Sequence, residues 1–196
     1  MKIVFATKNK GKVNEVVKIF NTDKIELVTM EQAGIDIDVV EDGTTFEENA
    51  EKKAVEIMKA SGEAAIADDS GLEIDFLDKQ PGIHSARFLG HDTLYSIKNA
   101  KILDMLKDVP EEKRTARFVC AVCLALPDGR IIRSKGTLEG RIGNKITGEN
   151  GFGYDPIFFI PEKNCYSAEL STEEKNKISH RGKAMAEMRE KILEIL

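Results

Sequence analysis

The chain is poor in cysteine, has no long apolar run and carries no basic excess. Three cysteines in 196 residues, an odd number, exclude a disulfide framework and fit a reducing compartment. The first apolar run, residues 3–6, is too short for the hydrophobic region of a signal peptide, and nothing later approaches a membrane span. A cytoplasmic protein with no membrane partner is expected. A net charge of −5, from 29 basic and 34 acidic residues, argues against a surface that coats nucleic acid. What remains, 41% hydrophobic and 32% charged residues without repeats or low-complexity linkers, fits one soluble domain over residues 1–196, with enough core for two lobes.

Cys120 and Cys123 form a C-x-x-C that invites a redox or zinc reading. They lie in an apolar run, residues 116–126, with the look of a buried strand, where residues three apart face opposite ways. No second C-x-x-C or nearby histidine completes a metal site, so core packing is the expectation.

Periodicity orders the rest. Residues 2–6 read as a strand and 11–20 as a helix, with Val13, Val16, Val17 and Phe20 on one face. A second strand is expected at 25–29, followed by an acidic loop. Thr44 with Glu47, or Thr45 with Glu48, makes a capping box that opens a helix to about residue 60, closed by Gly62. Short strands at 64–67 and 72–76 flank an Asp-Asp-Ser-Gly turn. A helix over 92–106 would bury Leu94, Ile97, Ile102, Met105 and Leu106. Residues 115–126 and 130–137, joined by Pro127-Asp128-Gly129, form the clearest hairpin. A glycine-rich loop at 148–154, a strand at 157–160 and a helix from about Arg181 complete an α/β chain with a mixed sheet.

Several clusters could carry chemistry. Residues 66–72, Ile-Ala-Asp-Asp-Ser-Gly-Leu, deliver two adjacent carboxylates from an apolar segment to a Ser-Gly pair. Successive side chains on a strand face opposite ways, so Asp68 and Asp69 serve one site only if the backbone turns between them. The alternative is that the cluster merely ends a strand. Thr7-Lys8-Asn9-Lys10-Gly11-Lys12 sits where a strand feeds a helix, a place that favours anions, although a solvated lysine-rich helix start reads the same. Six lysines in residues 1–24 contrast with seven acids and no cation in residues 31–48. If the two segments meet, they would line one metal-phosphate cleft. Glu41 and Asp69, with Asp68 as a further candidate, suit Mg²⁺, which takes one or two carboxylates and leaves other positions to phosphate oxygens. Lys53 could reach a phosphate from the opposite side. Gly151-Phe152-Gly153-Tyr154-Asp155-Pro156 offers an aromatic that could stack on a base, or simply a tight turn with a core aromatic. Ser179-His180-Arg181 gathers three hydrogen-bonding side chains, or caps a helix.

Taken together, the segments A-T-K-N-K-G-K at 6–12, E-D-G-T-T-F-E-E-N-A at 41–50, A-D-D-S-G-L at 67–72, P-G-I-H-S-A-R at 81–87, G-F-G-Y-D-P at 151–156 and I-S-H-R-G at 178–182 strongly resemble the inosine triphosphate pyrophosphatase family. They run in family order from end to end. The resemblance implies an elongated, two-lobed α/β fold with a central mixed sheet, flanking helices and an active-site cleft between the lobes, as a homodimer. It implies Mg²⁺-dependent cleavage of ITP, dITP or XTP to the monophosphate and pyrophosphate. Matched by position, Thr7, Lys8, Asn9, Lys10, Gly11 and Lys12 would form the phosphate loop, with Lys53 as a further phosphate ligand. Glu41 and Asp69 would be metal carboxylates, Asp69 also the catalytic one, with Ser70 beside it. Phe152 would stack on the purine within the Gly153-Tyr154 loop, and Asp155, Lys175, His180 and Arg181 would complete the base pocket.

One departure stands out. The family loop commonly has glycine where this chain has Lys8, which either strains a positive-φ position or adds a cation near the phosphates. Two rivals share the motifs: a pyrophosphatase for another nucleotide, and a nucleotide sensor without turnover. The second has no need of Glu41 and Asp69.

Overall fold

The computed structural model describes residues 1–20 and 23–196. Among them are seven strands and five α-helices in the order β1 (Lys2–Phe5), α1 (Lys10–Ile19), β2 (Glu26–Thr29), α2 (Phe46–Ser61), β3 (Ala64–Ile74), α3 (Tyr95–Met105), β4 (Thr115–Ala125), β5 (Ile131–Ile142), β6 (Phe158–Ile160), β7 (Cys165–Tyr166), α4 (Thr172–Ile178) and α5 (His180–Glu194). The strands bond in the order β2-β1-β3-β4-β5-β6-β7. β1 runs parallel to β2 and β3, with Ile3 opposite Leu27 and Ala64, whereas β6 runs antiparallel to β5 and β7. The sheet is therefore mixed and the class α/β, as expected. No helix among the described residues is long and apolar enough to cross a membrane.

The chain divides into two compact units. The first comprises residues 1–69, 120–136 and 180–196. Its core sets Ile3 and Phe5 of β1, Ile66 of β3 and Cys120, Val122 and Leu124 of β4 against Val16 and Phe20 of α1 and Met185, Met188 and Ile192 of α5. Val4, Ala65 and Ala67 alternate with those strand residues yet are also buried, and α2 packs on β1 with Ala50, Ala54 and Ile57 inward. These strands are covered on both faces, which is why they read as continuous apolar runs. The second unit, residues 70–119 and 137–179, has its own core around Leu72, Ile74, Ile102, Leu106, Phe118, Leu138 and Phe158.

Four expectations need correction. β3 is one uninterrupted strand through Asp68-Asp69-Ser70-Gly71 rather than two strands and a turn, because the apolar residues on both sides keep it in the sheet. α3 starts at Tyr95 and buries Ile102 and Leu106 as expected, but not the other three: Leu94 and Ile97 are 67% and 54% exposed and Met105 is exposed, whereas Lys98 and Asn99 are buried. β5 extends to Ile142, and β7 and α4 are additional elements. Of the two expected capping boxes, the Thr44–Glu47 one does not form, Glu47 accepting from Lys135 instead, and the Thr45–Glu48 one forms in half: Thr45 Oγ1 accepts from the Glu48 amide, while the Glu48 carboxylate accepts from the amide and hydroxyl of Thr44.

Cys120 and Cys123 pack within β4 as expected, both buried. Gly136 decides how closely β5 approaches α5. A Cβ there would lie 2.2 Å from the His180 carbonyl oxygen and 2.8 Å from the Ala184 nitrogen, both backbone atoms. Gly136→Ala is expected to lower stability by about 1–3 kcal/mol, as overpacking does, read as a fall in the urea midpoint. An unchanged midpoint would show that α5 does not depend on this close approach.

Candidate active site

The first unit builds its charged cluster where the chain leaves β1. The neighbours β2 and β3 lie on opposite sides of β1, which makes its carboxyl end a topological switch point, the usual ligand position in open α/β sheets. There the chain makes a self-contained turn. Thr7 Oγ1 accepts from the Asn9 amide at 3.2 Å, and Asn9 Oδ1 accepts from the amides of Gly11 and Lys12 at 2.9 and 3.3 Å. Asn9 thus caps α1 and occupies amides that an anion would otherwise take. Cations of this loop then act through their side chains. Lys12 Nζ lies 2.9 Å from Asp68 Oδ2, Lys8 Nζ lies 2.9 and 2.8 Å from Asp36 and Asp38, and Lys10 is exposed on the rim of a cavity of about 730 Å³.

Strand alternation separates the two aspartates. Asp68, fully buried, faces α1 and α5: Arg181 Nε lies 3.2 Å from its Oδ2, Cys120 Sγ lies 3.9 Å away, and Arg181 also pairs with Glu15. Burial is the largest influence on Asp68 and raises its pKa, but Lys12, Arg181 and Lys53 outweigh it and hold the carboxyl well below the usual range. Asp69 faces α2. Its Oδ2 accepts from Asn49 Nδ2 at 3.1 Å, and Lys53 Nζ stands 3.9 Å from its Oδ1. Here burial prevails, with the neighbouring charge of Glu41 adding to it, so the Asp69 pKa is raised despite Lys53 and Lys12. Lys53 in turn lies 2.5 Å from Glu41 Oε1; the charges of Asp69, Glu41 and Asp68 outweigh its burial and raise its pKa.

Sequence reasoning missed Asn49 and Glu15. Asn49 is fully buried and ties two parts of the cluster together, since its Oδ1 also accepts from the Gly43 amide at 2.8 Å. Its signal was present as the Asn of E-E-N-A, an amide where an amphipathic helix should place an apolar residue. Glu15 lies one turn after Lys12 and is buried with Arg181.

Among the described residues no three His, Cys, Asp or Glu side chains converge as a metal cage. The donors present are hard oxygens: Glu41 and Asp69, both facing Lys53. Two carboxylates are what Mg²⁺ commonly takes from a protein. A buried Asp69 whose pKa is raised by burial and by Glu41 carries negative charge that a cation would stabilise. The residues fit the ion.

The second unit holds the glycine-rich loop. Asp155 is buried and fully engaged: Oδ2 accepts from the Phe152 amide at 2.9 Å and from Lys175 Nζ at 2.7 Å, and Oδ1 accepts from Ser167 Oγ at 2.8 Å. Gly151, with φ of 74°, is required because a Cβ would lie 2.3 Å from Asp155 Oδ2. Lys175 Nζ stands 4.9 Å above the half-buried Phe152 ring. Tyr154 is a core residue, its hydroxyl donating to the Ser85 carbonyl at 2.8 Å and its ring edge-on to Tyr95. Asn99 of α3 donates to the Gly153 carbonyl at 3.1 Å. Gly153 and Tyr154 therefore anchor the loop, and the buried Lys175 sets its amine against the Phe152 ring. Ser70, half-buried, follows Asp69 in β3, and His180 is buried at the start of α5.

Fold and clusters define the class: an α/β protein whose candidate active site is a carboxylate-lysine cluster at the switch point of a mixed sheet. The model of the Ham1 family matches residues 3–191, and the chain belongs to that family. It is 47% identical over 196 residues to a dITP/XTP pyrophosphatase of Desulforamulus reducens, covering 100% of this chain and 96% of that protein. It is 46% identical over 188 residues to a dITP/XTP pyrophosphatase of Exiguobacterium sibiricum, covering 96% and 95%. Among solved structures, the Ham1 protein of Staphylococcus aureus matches with a TM-score of 0.89 at 39% identity, covering 100% of both chains. A HAM1 protein from Coxiella burnetii matches with a TM-score of 0.90 at 35% identity over 99% of both.

The two aspartates should respond oppositely to neutralisation. Asp68→Asn leaves Lys12 and Arg181 with an uncompensated buried charge and should cost about 3–5 kcal/mol, as breaking a buried pair does. Asp69→Asn replaces a carboxylate whose charged form is already disfavoured, so its urea midpoint should match or exceed that of the parent. Equal losses in both variants would contradict the assignment of separate faces.

Proposed function

We propose that this protein hydrolyses the non-standard purine nucleoside triphosphates ITP, dITP and XTP to the monophosphate and pyrophosphate, with Mg²⁺. The observation that carries the reading is Asp69, a buried carboxylate of raised basicity with Lys53 and Glu41 beside it, in a chain whose relatives are named dITP/XTP pyrophosphatases.

Asp69 orients a water and accepts its proton as the water attacks the α-phosphorus, a role served by a basicity above that of an ordinary aspartate. Asn49 fixes the rotamer of that carboxylate from α2. Glu41 and Asp69 would hold Mg²⁺, which when bound neutralises phosphate charge and favours departure of pyrophosphate. Lys53 and Lys12 add fixed positive charge that stabilises the charge growing on the leaving group. Arg181 and Glu15 act one step further back, by fixing Asp68 and through it Lys12.

The second unit supplies purine recognition. Phe152 offers a face for stacking, and Lys175, held over that ring by Asp155, donates to a 6-keto oxygen. An adenine amino group would meet a donor with a donor, a mismatch that costs about 1–3 kcal/mol per unpaired group.

Pyrophosphate release measured for ITP, dITP and XTP against GTP, ATP and dUTP, with and without Mg²⁺, checks the substrate class and the ion together. The first three with Mg²⁺ should be hydrolysed far faster than the rest. Preferred turnover of ATP or dUTP would favour another pyrophosphatase, and ITP binding without turnover would favour a sensor. Asp69→Asn should lower kcat by about 10²–10⁴-fold, the span of general acid-base contributions, with the fold intact. A near-normal rate would remove Asp69 from the mechanism.

A further inference from the structure

Lys8 stands where the family resemblance leads one to expect glycine, and its backbone requires none. Among the described non-glycine residues φ is positive only at Asp78, Lys79, Leu89 and Asn164. Its amine reaches across to the acidic segment, donating to Asp36 Oδ1 at 2.9 Å and Asp38 Oδ1 at 2.8 Å.

That segment has little else to hold it. Residues 36–40 belong to no helix or strand, and Val40 is 68% exposed. The chain is fixed before them by the Ile35 amide on the Met30 carbonyl, and after them by Glu41 on Lys53. Between these points, among the described residues, the hydrogen bonds to 36–40 come from Lys8. Packing does not substitute for them: Lys8 and Asp36 line the cavity of about 730 Å³, which also reaches Val13, Met30 and Ile35, so a void lies under the start of the segment.

We propose that Lys8 is a positioning residue: by bridging Asp36 and Asp38 it fixes the segment leading to Glu41 and so holds that carboxylate in place beside Lys53. The inference rests on the reading of Glu41 as a metal-binding carboxylate. Lys8 thereby compensates in charge for a segment that lacks packing, and the departure from glycine acquires a function that is separate from direct phosphate binding.

The test uses the full-length protein with K8G, K8R, the double variant D36N/D38N and E41Q. Backbone 15N order parameters at residues 37–40 should fall from about 0.85, the rigid range, to below about 0.6 in K8G and in D36N/D38N, and stay high in K8R. Mn²⁺ binding without nucleotide, measured by titration calorimetry, should weaken about fivefold in D36N/D38N while kcat at saturating Mg²⁺ stays within roughly twofold. Unchanged order parameters in K8G overturn the tether. Lowered order parameters with parental Mn²⁺ affinity in D36N/D38N, where E41Q does weaken binding, overturn the positioning of Glu41. If E41Q binds Mn²⁺ as the parent does, the metal reading of Glu41 fails and the proposal fails with it. A raised KM for ITP in K8G together with a lowered one in D36N/D38N would instead assign Lys8 to the phosphates, and overturn the proposal.

Discussion

The burial of Asp68 among cations is the constraint on which the first unit depends. Its carboxylate faces Lys12 from α1 and Arg181 from α5, and Glu15 completes a quartet of two positive and two negative side chains. Such a group contributes little net stability over a well-packed apolar equivalent, but each member is costly to leave alone, so the four fix one another's positions. Three elements are thereby set in one arrangement: the first helix, the strand carrying the aspartates and the last helix. Because Gly136 has no Cβ, the last helix can begin close enough to β5 for Arg181 to take part.

The consequence for chemistry comes from the pleat. A strand presents neighbouring residues to opposite faces, so anchoring Asp68 on one side directs Asp69 to the other, toward α2. The two carboxyls then shift in opposite directions: at Asp68 the summed cations outweigh burial, and at Asp69 burial prevails. The second unit follows the same rule around Asp155, where a backbone amide, a hydroxyl and the buried Lys175 surround a buried carboxylate and leave Phe152 half-exposed on the loop. In both units a buried acid, held by cations or by hydrogen-bond donors, fixes the side chains around it.

Much of this was legible in the sequence, and the failures have physical causes. Alternation foretold that Asp68 and Asp69 could not share a face of one strand, but turn-forming composition argued for a break where the sheet continues. The cap at Thr45 and the stop at Gly62 were readable because both are local. α3 was misread because its apolar residues support two stripes; the buried one includes Lys98, whose amine finds the Ala86 carbonyl, and Asn99, whose amide finds Gly153. Neither partner is visible to periodicity. α4 was missed because seven mostly polar residues, T-E-E-K-N-K-I, carry no hydrophobic pattern, although its Ser171-Glu174 capping box is a sequence signal. Glu15 looked like an ordinary helix acid until Arg181, 166 residues away in the chain, supplied its partner.

Cys123 of the C-x-x-C, with Cys165 outside it, shows what burial does to a thiol's reactivity. Burial pushes Cys123 up to about 12, and Cys165 is raised by the same cause. At neutral pH both are held as thiols, and it is the thiolate that attacks peroxides, disulfides and alkylating agents. Cys123 and Cys165 are therefore slow to oxidise or to be alkylated near neutral pH, and the motif that invites a redox reading belongs, at Cys123, to the packing of the sheet.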